Sequence, residues 1–175
     1  MIGCAGNSGT KEIIEHKKEL KKLYPEWFFL NFNNYYKIYS SKERYDKIKF
    51  ILKDFKINVI IESSDGGIMA TLYQLYEKIH KGFTVDLLSI PIRQETVEIS
   101  EHFSIDPYRL NSRGSFILAL DNALCLKDKL NNNNIESEII GYIENKKSKI
   151  ILFDVDKEVR CLDKPRQDEE HKVID

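Results

Sequence analysis

Glu62-Ser63-Ser64-Asp65-Gly66-Gly67-Ile68 is where a wholly apolar run ends and an amphipathic run begins. Upstream, Ile57-Asn58-Val59-Ile60-Ile61 is rich in β-branched residues and of strand length. Downstream, Ile68, Leu72, Leu75, Tyr76 and Ile79 recur at helical spacing. A strand that passes through two glycines into a helix presents backbone N–H groups and the positive end of a helix dipole, an arrangement suited to phosphate or carboxylate. Gly66 and Gly67 carry no Cβ to obstruct a ligand. The alternative is a tight turn with Ser64 or Asp65 as the helix cap and no ligand.

The rest of the chain frames that junction. Gly3, Gly6 and Gly9 precede Thr10, a candidate N-cap, and an apolar stripe of Ile13, Ile14, Leu20 and Leu23 backed by lysines and glutamates. Pro25 then ends this helix or opens the next. Trp27 to Tyr39 is aromatic at helical spacing, which suits a core or partner-facing helix, and a third helix is expected from about Ser41 to Asp54. After the junction helix, Gly82 marks its C-terminus and Phe83 to Leu88 reads as a strand. Gln94 to Phe103 is a short helix and Asp106-Pro107 a turn. The polar loop Leu110-Asn111-Ser112-Arg113-Gly114-Ser115, just before the strand Phe116 to Leu120, either offers amides, hydroxyls and a guanidinium to an anion or is an ordinary turn. Ala123 to Leu130 is helical and runs into Asn131 to Asn134. Ile135 to Ile143 reads as a strand, and Ile150 to Phe153 with Glu158 to Leu162 as a hairpin turning at Asp154 to Lys157. One domain over residues 1–164 and a polar tail from Pro165 to Asp175 follow from this reading.

Composition excludes several functions. The chain has 175 residues with a formal net charge of −1, so no broad basic field invites nucleic acid. No apolar run approaches a bilayer span, and the N-terminus lacks the basic and apolar regions of a signal peptide, so a cytoplasmic protein with no membrane partner is expected. Three dispersed cysteines, Cys4, Cys125 and Cys161, argue for reduced thiols and against a disulfide framework or zinc cluster. His16, His80, His102 and His171 have no partner at metal-ligand spacing and read as surface residues. No Gly-x-Ser-x-Gly elbow, P-loop or His-Glu-x-x-His occurs, so no catalytic residue is assigned and no metal is expected.

Three blocks together carry a resemblance: Glu62 to Ile68, Val85-Asp86-Leu87-Leu88-Ser89-Ile90-Pro91-Ile92-Arg93-Gln94-Glu95-Thr96, and Asp106-Pro107-Tyr108-Arg109-Leu110-Asn111-Ser112-Arg113-Gly114-Ser115. In this order the chain resembles the C-terminal domain of the aminoimidazole ribonucleotide (AIR) synthase superfamily, which includes selenophosphate synthetase, thiamine-monophosphate kinase and the hydrogenase maturation factor that prepares the cyanide ligand. The motif order is most similar to the AIR synthase-related, hydrogenase-maturation-like branch. Gly3 to Thr10 resembles the Gly-x-x-Gly-Thr opening of that domain, and Ile140-Gly141-Tyr142-Ile143 its late Ile-Gly-x-Val strand.

The resemblance implies a three-layer α/β/α unit with a mixed sheet. It also implies that Asp65, Gly66 and Gly67 hold a phosphorylated small molecule or nucleotide, with Ser112 and Gly114 on a neighbouring loop; Ser64, in the same turn, is a further candidate contact. Two departures qualify it. The family's N-terminal domain, which supplies the Asp ligands of Mg-ATP, has no counterpart here, and Glu62 stands where the family commonly has Asp. The expectation is therefore a stand-alone binding domain without catalysis of its own and with no intrinsic cofactor. The alternatives are half of a two-chain ATP-dependent enzyme, in which a separate N-terminal-type chain brings ATP and Mg²⁺, and a protein-interaction module.

Overall fold

A computed structural model describes residues 1–145, 151–153, 159–165 and 167–174, with backbone alone for 151–153. The architecture is α/β, as the sequence predicts, but its strands are divided between two small sheets. In the first, β1 (Val59–Glu62) runs antiparallel to β3 (Phe116–Ala119), pairing Val59 with Ala119 and Glu62 with Phe116. Ile2 bridges to Phe116 and to Ser137 at the edge of this pair. The second sheet is mixed, in the order β4-β2-β5-β6. There β2 (Phe83–Asp86) is antiparallel to β4 (Gly141–Ile143) and parallel to β5 (Ile151–Phe153), which pairs antiparallel with β6 (Val159–Cys161).

Eight helices pack around the sheets among the described residues. The first core lies between the sheets, where Ile68, Leu72 and Leu75 of α5 (Gly67–Ile79) meet Ile61, Phe83, Val85 and Ile117. A second core joins α1 (Asn7–His16), α2 (Leu20–Leu23), α3 (Glu26–Tyr39), α6 (Gln94–Phe103) and α8 (His171–Ile174) through Ile13, Leu20, Phe28, Phe32, Ile99 and Val173. The third places Ile48 and Ile51 of α4 (Lys42–Leu52) against Leu126 and Leu130 of α7 (Ala123–Asn131). The aromatic segment is the expected helix: Phe28, Phe32 and Tyr39 are buried, and Phe32 stacks on Tyr36 one turn away with ring centroids 6.0 Å apart.

Several boundaries differ from the sequence expectation for local reasons. The first helix begins at Asn7, so Thr10 lies inside it, where its hydroxyl donates to Thr96 Oγ1 at 3.0 Å. His80, not Gly82, ends α5, in a left-handed conformation at φ 50°. Of the strand expected over Ile135 to Ile143, only Gly141–Ile143 forms a ladder; the segment before it leaves the sheet to bridge Ile2 through Ser137. β5 and β6 pair as the expected hairpin, while its turn at Asp154 to Lys157 lies outside the described residues. The largest difference concerns the polar tail. Asp168, Glu169 and Glu170 are buried, and Val173 joins the second core, so an apolar anchor sets into the body a segment whose composition suggests full solvation. None of the helices of the described residues is long and apolar enough to cross a membrane.

Candidate functional site

The antiparallel register of β1 and β3 brings the chain leaving β1 beside the chain entering β3. Ser63 N–H donates to Ser115 O at 2.9 Å, and Ser112 N–H donates to Ser64 O at 3.4 Å. The glycine junction and the polar loop 110–115 thus form one wall, as the sequence reading placed them. On it, Gly66 is the N-cap of α5 in the left-handed region at φ 75°, and neither Ser64 nor Asp65 provides a side-chain cap. Asp65 is exposed and its Oδ1 accepts from Asn111 Nδ2 at 3.0 Å.

A second helix start meets the same loop. Gly6, also left-handed at φ 71°, is the N-cap of α1 with no side-chain cap. Its N–H donates to Ser112 Oγ at 2.8 Å, and Gly9 N–H donates to Asn111 O at 2.9 Å. Ser112 Oγ in turn donates to Leu110 O at 2.8 Å, so this fully buried hydroxyl ties α1 to the loop. Ser112→Ala leaves the Gly6 N–H without an acceptor and is expected to lower stability by about 1–3 kcal/mol in urea denaturation.

Gly67 and Gly114 are also structural. Gly67 (φ 63°) turns its Cα toward the backbone of Tyr108 to Leu110. Gly114 (φ 87°) packs against the rings of Tyr39 and Tyr45, and its carbonyl accepts from Arg44 Nη1 at 3.0 Å. Of the six residues singled out from the sequence, Gly66 is the one whose N–H holds an anion.

That anion is the Asp168 carboxylate. Gly66 N–H donates to Asp168 Oδ2 at 2.7 Å and Glu170 N–H donates to Oδ1 at 3.0 Å. The Gly66 N–H at the positive end of α5 on one carboxylate oxygen, and the N–H two residues beyond Asp168 on the other, make an anion seat. Burial still raises the Asp168 pKa above the ordinary carboxylate value, with the neighbouring Asp65 adding to it, while the amide bonds pull the other way.

Glu170 lies beside the seat. Its Oε2 is buried and has no hydrogen-bond partner, and it stands 2.9 Å from where a Cβ on Gly9 would project. Burial first, then Asp168, Glu12 and Asp65, push its pKa up to about 8, so it is mostly protonated at neutral pH. A carboxyl whose folded pKa lies above its unfolded value contributes stability that is complete below about pH 4.5 and is lost as pH rises through about 8. Glu170→Gln, neutral throughout, is expected to flatten this decline and to melt several degrees above the unsubstituted chain at pH 8.5, with little difference at pH 5. Thermal melts across that pH range check it.

Asn111, Asp168, Glu170 and the start of α1 complete the site beyond the residues singled out from the sequence. Asn111 stands next to Ser112 in the polar loop, a signal that was present. Asp168 and Glu170 are more than a hundred residues from Gly66 and carry no local signal. The four histidines are exposed, as expected. Cys4 is buried and donates to Glu136 Oε2 at 2.8 Å, and burial with that carboxylate pushes its pKa up to about 12, which fits an inert thiol. Among the described residues no three His, Cys, Asp or Glu side chains converge as metal ligands.

Comparison with solved structures places the fold. E. coli HypE superposes over 95% of this chain and 49% of its own, with a TM-score of 0.64 and 13% identity. A hydrogenase maturation protein HypE in complex with ATP matches over 65% and 37%, with a TM-score of 0.57 and 17% identity. Thiamine monophosphate kinase from Aquifex aeolicus matches over 81% and 45%, with a TM-score of 0.54 and 18% identity. These likenesses establish the fold, and the chain spans less than half the length of each. No protein-family model matches the sequence, and neither does any curated protein.

Proposed function

We propose that this chain is an AIR-synthase-related domain of the C-terminal type. In this reading it binds the phosphate of a small phosphorylated molecule or nucleotide at Asp65-Gly66-Gly67 without catalysing a reaction by itself. The observation that carries the reading is the Gly66 N–H, which starts a 13-residue helix without a side-chain cap and grips a carboxylate at 2.7 Å. A group that holds a carboxylate in this way suits a phosphate oxygen for the same electrostatic reason. The fold shared with a HypE in complex with ATP supports a nucleotide-related ligand. Gly66 supplies the anion contact, Asn111 orients Asp65 at the rim, and Gly67 and Ser112 hold the wall.

Among the described residues no three His, Cys, Asp or Glu side chains form a protein cage for Mg²⁺. A second reading is half of a two-chain ATP-dependent enzyme, and the fold shared with a HypE in complex with ATP supports ATP-dependent chemistry. There a separate chain of the N-terminal type brings ATP and Mg²⁺. Titration of the melting temperature with ATP, ADP, AMP and phosphorylated ribosides, with and without Mg²⁺, tests the first reading. A rise of several degrees with at least one of them is expected, because a ligand that binds only the folded state must raise it. No rise with any would contradict binding by the chain alone.

A further inference from the structure

We infer that the C-terminal segment Asp168–Ile174 is a built-in competitor for the anion seat at Gly66, a strap that a phosphorylated ligand must displace before it can bind. The inference rests on the reading of that seat as the ligand site, and it assigns the site's regulation.

Asp168 occupies the seat: its two carboxylate oxygens take the N–H groups of Gly66 and Glu170 at 2.7 and 3.0 Å. A phosphate oxygen cannot take the Gly66 N–H while Asp168 Oδ2 holds it. Glu170 fills the space next to the seat, against Gly9 at the start of α1, with a buried oxygen that nothing bonds. The strap is anchored at its far end by Val173 in the second core and by Glu169 N–H donating to Arg109 O at 3.4 Å.

These anchors are modest. α8 has four residues, and the strap's acidic groups, Asp168 and Glu170, face Asp65 at the junction and Glu12 on α1. Glu169 pairs instead with Lys172 of the strap itself. Among the described residues the strap is held by the Gly66 N–H on Asp168, by the Glu169 N–H on Arg109 O, and by Val173 and Ile174 against the second core. Such a contact yields to an anion of higher charge that takes the same Gly66 N–H.

The test uses the full chain and inorganic pyrophosphate as the probe, with affinity measured by calorimetry at pH 7.5. Asp168→Ala empties the seat and Val173→Asp lifts the strap from its other end while keeping both carboxylates, so the two variants reach the same open state by different contacts. Thermal melts show which variants remain folded. Both are expected to bind pyrophosphate at least tenfold more tightly than the unsubstituted chain. Equal binding by all three chains would overturn the strap's role and leave the anion site standing. No binding by either folded variant would overturn both the strap and the site.

Discussion

Gly67→Ala is expected to lower the stability of the domain by about 2–5 kcal/mol, enough to unfold many small domains. At φ 63° the backbone sits in the left-handed region, where a residue with a Cβ costs about 1–2 kcal/mol. The added methyl would stand 2.5 Å from both Leu110 O and Tyr108 O and 2.9 Å from Arg109 C. Those neighbours are backbone, so no side chain can swing aside, and relief of such overpacking costs about 1–3 kcal/mol more. The turn Asp106 to Leu110 sets the height of the loop carrying Asn111 and Ser112, so the same substitution should disturb the seat as well as the fold. Urea denaturation gives the stability change. A loss below about 0.5 kcal/mol would show that this close approach does not exist.

Arg44→Ala should be almost as severe, at about 2–4 kcal/mol. Its buried guanidinium donates from Nη1 to Tyr39 O at 3.2 Å and to Gly114 O at 3.0 Å, and its Cζ lies 4.3 Å from the centroid of the Tyr39 ring. Truncation leaves two buried carbonyls without donors, each costing about 1–3 kcal/mol, and removes the cation from the ring face. Arg44→Lys should recover only part of the loss, since one ammonium on a flexible stem does not reproduce the planar fork. Chemical denaturation of the two variants side by side checks both the size and the order of the effects.

The glycine junction was legible because two local signals changed together: a β-branched run gave way to helical periodicity across Gly66-Gly67. The polar loop before β3 was legible for a similar reason, and β pairing then placed it beside the junction. Chemical type alone did not reveal which way each residue faces. Ser112 and Gly114 read as ligand candidates, and the structure gives them a tie to α1 and a close-packing point beside two tyrosines. Ser64 and Asp65 looked like caps, yet the left-handed turn at Gly66 leaves that helix start to be satisfied from elsewhere. The strap was hidden because Asp168-Glu169-Glu170 has the composition of a solvated tail, and only its return to Gly66, across the whole fold, turns it into part of the site.

The most direct test of the account is the backbone amide resonance of Gly66 in ¹⁵N-glycine-labelled protein, followed during titration with ADP. This resonance is expected to shift progressively and saturate, while Gly141, in the other sheet beside Thr84, stays in place. A Gly66 resonance that does not move while ADP binds elsewhere, or while the melting temperature rises, would contradict the assignment of the phosphate site to this junction.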